Sequence, residues 1–282
     1  MDKIISFSLF GHNARYWDSI PVCVASYLIA YPNFGIRFYC AKDILSHPGC
    51  EFLLDLTHCL NVELLCIDWS YKDTEPTIWR MMPLWEKDIN IFLCRDIDSI
   101  ATSYEKRATE AFLNSRFAIH GIRTYVLHTT ELMAGLCGFK ANMIRNILLC
   151  KRFEEYANFG INHVSYCATG QWGCDQMLLK KFFYSGPRAN YFYSLSLDTM
   201  LGSATKLPNY KGNYLPNSCY SNIDISKYEF LFSVTDKMIK FVAEPSHYNN
   251  EQNKIVLSLD HDICRTIKHL TQKHSYYKKI WQ

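Results

Sequence analysis

The 282-residue chain has no Cys-x-x-Cys pair, no block of lysine or arginine and no hydrophobic run of membrane-spanning length. Each absence removes a class of function. Twelve cysteines without the short paired spacing leave a structural zinc site nothing to build on. Many of them sit in apolar runs such as VELLCI and FLCR, so buried reduced thiols are expected rather than disulfides. With no basic stripe and a formal charge of only +3, there is no electrostatic case for binding nucleic acid. The nearest approach to one, the tail QKHSYYKKIWQ, reads as a solvated helix end. The longest apolar stretch, IPVCVASYLIAY, is too short for a transmembrane segment, and MDKIISFSLFG lacks a signal-peptide layout. A soluble, cytoplasmic protein is expected, with its oligomeric state left open.

What is present is a globular composition, 49% hydrophobic and 20% charged, at a length that one α/β domain can fill. Segment types alternate through the first hundred residues. IISFSLF (4–10) reads as a strand, 17–32 as a helix ended by Pro32, and IRFYC (36–40) as a strand. Residues 47–60 read as a short helix, VELLCID (62–68) as a strand, 77–87 as a helix broken near Pro83, and 89–94 as a strand. This rhythm predicts a mainly parallel sheet flanked by helices, with ligands beyond the carboxyl ends of its strands. Further on, a helix is expected at 103–115, then a glycine-punctuated strand, a long amphipathic helix from about Asn142, and a helix in WGCDQMLLKKFFY capped by Asp175. From 185 to 226 glycine, proline, asparagine, serine and tyrosine predominate, which predicts loops. A strand in KIVLSL and a helix in HDICRTIKHLTQK close the chain.

The expected strand INIFLC runs into Asp96 and Asp98. Two carboxylates separated by one residue repel, so they splay into solvent or receive a cation between them. Carboxylates in this arrangement can share Mg²⁺ or Mn²⁺ while phosphate oxygens complete the shell. Short acidic pairs at turns also cap helices, and the pair alone does not separate these readings.

Its surroundings do. KIISFSLFG (3–11), WRMMP (79–83), RDIDS (95–99), YEKRATEAFLNS (104–115), AGLCGFK (134–140) and GCDQMLL (173–179), in this order and spacing, resemble the GT-A glycosyltransferases over roughly residues 3 to 180. The resemblance implies one GT-A domain over 1–282: a nucleotide-binding half (1–100), then an acceptor-side half (101–282) with a loop-rich C-terminal region. It implies transfer from a nucleoside-diphosphate sugar, UDP favoured, to a glycan or protein-linked glycan, with Mn²⁺ or Mg²⁺. Phe10, Gly11, Arg15 and Tyr16 would receive base and ribose, and Arg80 would reach the diphosphate. Asp96 would contact ribose or metal-bound water, and Asp98 would ligate the metal. Arg95, also placed in the nucleotide-sugar set, would pair with a neighbouring carboxylate and orient the motif. Gly135 and Gly138 would let backbone pass close to the sugar. Asp175 would be the catalytic base of an inverting transfer. Relatives carry a His-Asp where this chain has Leu197 and Asp198. That leaves a further metal ligand open among Asp198, His247 and His261, while His120, Arg123 and His128 are candidates for the acceptor side. Aromatic residues of 185–226 would close over the sugar.

Three rivals remain. A phosphatase of the haloacid-dehalogenase type also places Asp-x-Asp after an apolar strand, but on its first strand and with a distal acidic pair, and this chain has no Asp-Asp dipeptide. A nucleotidyltransferase needs a glycine-rich, lysine-bearing loop where FGHNARY has one glycine. A non-catalytic glycan-binding relative would not need Asp96 and Asp98.

Overall fold

The computed structural model describes residues 1–68, 75–101, 103–123, 132–171, 173–183, 192–196, 238–240, 256–258 and 262–281. Strand β1 (Lys3–Leu9) leads into α1 (Ala14–Ala30), whose first turn is capped by Asn13 Oδ1 accepting from Arg15 N at 3.0 Å. Then come β2 (Gly35–Ala41), α2 (Cys50–Cys59) and β3 (Val62–Ile67). A 3₁₀ helix, Glu75–Trp85, precedes β4 (Ile91–Arg95). After α3 (Ser103–Leu113), strands β5 (Ile119–Arg123) and β6 (Leu136–Lys140) are followed by α4 (Ala141–Ile144), α5 (Phe153–His163), α6 (Ser165–Thr169) and α7 (Cys174–Phe183). The remaining described elements are β7 (Phe192–Ser196), β8 (Met238–Lys240), β9 (Val256–Ser258), α8 (Asp262–Lys273) and a 3₁₀ helix at Ser275–Trp281.

Seven strands form one sheet in the order β3-β2-β1-β4-β6-β5-β7, and β8 pairs with β9 separately. Neighbours are parallel except where β6 runs antiparallel to β4 and β5. The expected mainly parallel sheet flanked by helices is therefore the one observed. Strand alternation divides its core in two. Ile5, Phe7 and Leu9 pack in one cluster with Trp17 of α1, Phe52 of α2 and Leu270 of α8. Ile4, Tyr39 and Phe92 point into the other, with Trp79, Phe139, Tyr156 and Phe182. β2 is buried along its whole length, as a strand covered on both faces must be.

Four local expectations are corrected. The segment 77–87 is 3₁₀ rather than α, with Pro83 inside it. Proline supplies no N–H to an α ladder, and the shorter-range bonding of a 3₁₀ helix tolerates it here. The long helix from Asn142 is broken: α4 gives way to a 3₁₀ turn at Arg145–Ile147, and α5 begins at Phe153. The Arg145 guanidinium is spent on the carbonyls of Leu84, Glu86 and Ile89, at 2.8, 2.6 and 2.6 Å, which ties the break to the end of the 3₁₀ helix and the start of β4. Within the stretch expected to be loops, Phe192–Ser196 is a strand, whose backbone groups find partners on the β5 edge. The C-terminal tail is docked, not solvated: Tyr277 is fully buried and its hydroxyl donates to the Trp17 carbonyl at 3.0 Å.

No described helix is long and apolar enough to cross a membrane.

Candidate functional site

β1 and β4 lie side by side, and from them the chain proceeds to β2 and β3 on one flank and to β6, β5 and β7 on the other. The carboxyl ends of β1 and β4 therefore border the crevice where strand order reverses, the ligand position of open α/β sheets. The β1 end supplies Phe10 to Tyr16, and the β4 end supplies Asp96 and Asp98.

The turn after β4 is built by Ser99, whose amide and hydroxyl both donate to the Asp96 carbonyl, at 3.1 and 2.5 Å. Arg95, just before it, faces the core and is fully buried. It donates to Glu105 at 2.6 Å, to the carbonyls of Cys94 and Cys137 at 2.7 and 2.8 Å, and to Thr109 at 3.5 Å. Tyr27 of α1 and Tyr31, which caps its C-terminus, donate to the same Glu105. Burial opposes the Arg95 charge, but Glu105 together with Tyr27 and Tyr31 more than offsets it, and the guanidinium pKa is raised. Arg95 thus has no surface to offer a ligand, and its place in the nucleotide-sugar set is corrected to that of a support beneath the turn.

Arg80 occupies the centre of the site. Ser6 Oγ donates to its carbonyl at 2.8 Å, and its amide donates to Ser8 Oγ at 3.0 Å, so two serines on one face of β1 fix the 3₁₀ helix. Its side chain, 9% exposed, donates from Nε to the Thr77 carbonyl at 3.0 Å and from Nη1 to the Arg95 carbonyl at 3.1 Å. Nη1 also pairs with Asp96 Oδ1, and Nη2 pairs with Asp175 Oδ2 at 2.8 Å. Burial would lower its pKa, but Asp96 and Asp175 together raise it. Arg80 is a buried bridge between two carboxylates.

Asp175 lies inside the first turn of α7 rather than at its cap, and its Oδ1 accepts from the Gln176 amide at 2.9 Å. Burial pushes its carboxyl above the usual aspartate value; Arg80 opposes the shift and the charge of Asp96 adds to it. Asp98 is raised for the same first reason, burial, then by Asp96, with Arg15 pulling the other way. Arg15 reaches it from α1: Nε donates to Asp98 Oδ2 at 2.8 Å and Nη2 pairs with the same oxygen. The Arg15 guanidinium lies 5.6 Å from the Tyr16 ring centre, and the Tyr16 hydroxyl is pushed up by burial and by Asp98. At the β1 end, Gly11 has φ +67°, a conformation that disfavours a Cβ, and its amide donates to Asp43 Oδ2 at 3.0 Å. Phe10, half-buried, packs on the core cluster that holds Trp79.

Asp96 Oδ2 and Asp98 Oδ1 take no side-chain hydrogen bond among the described residues. An oxygen donor set of one or two carboxylates is of the kind a hard divalent cation takes. No group of three or more His, Cys, Asp or Glu placed to hold a metal ion occurs among the described residues.

The two glycines differ in role. A Cβ on Gly135 would lie 1.9 Å from Asp96 Oδ2, so its lack of a side chain gives that carboxylate its position. A Cβ on Gly138 would lie 2.7 Å from Leu93 Cδ2, and Gly138 pairs in unbroken register with Leu93 and His120. Gly138 therefore serves strand packing rather than a sugar. His120 is likewise moved from the acceptor side to the core. It is fully buried, its ring stacks on Phe112 at 4.8 Å, and burial keeps it neutral by lowering its pKa. Asp198, His247, His261, His128, the Arg123 side chain and most of 185–226 lie outside the described residues.

No family model matches the chain, and no curated protein does. Among solved structures, S. aureus TarS 1-349 superposes with a TM-score of 0.45 at 10% identity, covering 98% of this chain and 73% of that one. A glycosyltransferase involved in the glycosylation of the major capsid of PBCV-1 gives 0.41 at 12%, covering 71% and 82%. WbbM, a bifunctional glycosyltransferase, gives 0.42 at 14% and covers 69% of this chain; the chain spans 39% of its length. A 4-diphosphocytidyl-2C-methyl-D-erythritol synthase from Anaerococcus prevotii gives 0.42 at 11% over 70% and 90%. Likenesses this distant fix neither activity nor substrate, and the functional reading rests on the residues themselves.

Sequence reasoning missed Glu105, Ser6, Ser8 and Asp43 as parts of this site. The serines carried a signal, since alternate polar residues in an otherwise apolar strand need partners on the face they share. Glu105 and Asp43 carried none, because helix and loop carboxylates are usually solvated.

Proposed function

We propose that the chain is a GT-A glycosyltransferase that moves a sugar from a nucleoside-diphosphate sugar, UDP-linked in our reading, to a glycan or protein-linked glycan, with inversion at the anomeric carbon. The observation that carries this reading is the convergence of Asp96, Asp98 and Asp175 with Arg15 and Arg80 at the strand-order reversal.

In this reading the loop from Phe10 to Tyr16 takes the base and ribose, with Gly11 turning the backbone there. Asp98 and Asp96 would hold Mn²⁺ or Mg²⁺ through their carboxylates. The ion supplies neutralisation of the charge that develops on the departing diphosphate. Gly135 keeps the Asp96 carboxylate in place. Arg80, buried and engaged with Thr77, Arg95, Asp96 and Asp175, holds Asp96 and Asp175 in register rather than meeting the diphosphate as the sequence suggests. Asp175 takes the acceptor hydroxyl proton on Oδ1, the oxygen not paired with Arg80, as the acceptor oxygen bonds to the anomeric carbon and the bond to the diphosphate breaks on the opposite face. Its raised pKa makes it a better base than a solvated aspartate.

The phosphatase reading is weaker, because its nucleophilic aspartate belongs to the first strand whereas Asp96 follows β4, and Oδ1 of Asp96 is engaged by Arg80. The test is transfer from a panel of nucleotide sugars by wild type and Asp98→Ala. Loss of transfer in the variant supports the proposal, and full activity without Asp98 refutes it.

A further inference from the structure

Asp98 has a partner, and that partner can leave. Arg15 places Nε and Nη2 on a single oxygen of Asp98, so the contact is a fork on one atom rather than a bidentate clamp. The Arg15 side chain is 38% exposed and that of Asp98 10% exposed. One end of the ion pair is therefore open to solvent while the other is fixed in the turn. Arg80, by contrast, is enclosed and cannot exchange.

Charge balance points the same way. Asp96, Asp98 and Asp175 face Arg15 and Arg80, three negative groups against two positive, leaving one charge uncompensated. A divalent cation added with Arg15 in place leaves the cluster positive. The same cation in place of Arg15 leaves it neutral, which is the arrangement a half-buried site favours.

We infer that Arg15 is a built-in stand-in for the divalent cation at Asp98: it holds the carboxylate while no metal is bound and gives it up when metal and nucleotide enter, its guanidinium then turning to the diphosphate. The inference rests on the metal-dependent reading above and adds to it an exchange between a residue of this chain and the ion. A guanidinium released beside phosphate oxygens finds the geometry it pairs with best. The exchange makes metal binding weak without nucleotide and strong with it, because the site is available only for the fraction of time that Arg15 is away.

The test is Mn²⁺ binding, read from loss of the free hexaaqua signal in electron paramagnetic resonance, for wild type, Arg15→Gln and Asp98→Asn, with and without UDP. Thermal unfolding of each variant confirms that it is folded. If Arg15 occupies Asp98 about nine-tenths of the time, Arg15→Gln binds Mn²⁺ alone about tenfold tighter than wild type. The same variant binds UDP with Mn²⁺ more weakly, and Asp98→Asn loses Mn²⁺ in both conditions. Unchanged or weaker Mn²⁺ binding by Arg15→Gln, with Asp98→Asn still defective, overturns the exchange and leaves the metal site standing. No Mn²⁺ binding by any form, with or without UDP, overturns the exchange together with the metal-dependent reading.

Discussion

Arg80 joins Asp96, at the end of β4, to Asp175, in the first turn of α7. The motif that the sequence displays as an isolated acidic pair is therefore the visible part of a partly buried five-residue charge cluster, with Arg15 on one side and Asp175 on the other. Position at the strand ends and charge coupling come from the same contacts.

Arg80 should be irreplaceable by lysine. A single ammonium on a flexible stem cannot reach Asp96, Asp175 and the carbonyls of Thr77 and Arg95 together. Removing the planar fork leaves Asp175 buried without its counter-ion, and Arg80→Met is expected to cost ~3–5 kcal/mol in urea unfolding. A loss under about 1 kcal/mol, the range of exposed pairs, would show that the bridge is not a structural support.

Asp175→Asn keeps the shape of the side chain and removes the base. Transfer should fall by about 10²–10⁴ in kcat while UDP affinity stays within about twofold, measured by steady-state kinetics and calorimetry. Because the Asp175 carboxyl is raised by burial, it holds its proton to higher pH than a solvated aspartate and acts as a base only above that point. The acid limb of kcat/KM is therefore expected above the ordinary aspartate pKa of about 3.9. A limb at or below that value contradicts the assignment.

Gly135→Ala separates the donor site from the fold. The new Cβ would occupy the place of Asp96 Oδ2, 1.9 Å away, and the exposed end of that carboxylate must move. A displacement of about 1 Å near the reacting groups costs on the order of a hundredfold in rate. Loss of transfer with a melting temperature within a few degrees of wild type is the expected result. Gly138→Ala, which meets Leu93 at 2.7 Å in the sheet, should instead lower stability.

Glu105→Leu tests the support under the turn. Arg95 is fully buried, so removal of its carboxylate partner should destabilise the protein by ~3–5 kcal/mol although neither residue can touch a ligand.

The sheet was legible because β1 to β4 carry mainly apolar runs separated by helices and turns, a pattern that leaves little choice of architecture. The acidic pair was legible because like charges at a strand end demand an explanation. Partnership was not. Nothing local tells that Arg95 turns inward to Glu105 while Asp96 turns outward to Arg80, since that depends on which face the strand buries. His120 illustrates the same limit: in IHGIRTYVLH it reads as a loop residue, yet the register of β5 against β6 carries it into the core beside Phe112. The segment from Asn142 failed for a different reason. Its helical periodicity is real, but Arg145 is drawn to three carbonyls between the end of the 3₁₀ helix and the start of β4, and the helix is interrupted there.

The most direct test of the central claim is a thermal-shift screen of nucleotide sugars against the wild-type chain, with and without Mn²⁺. A rise in melting temperature that is selective for one donor, requires the ion and disappears in Asp98→Ala is the predicted result. Turnover of simple phosphate esters with no donor-selective, Mn²⁺-dependent rise would contradict the account.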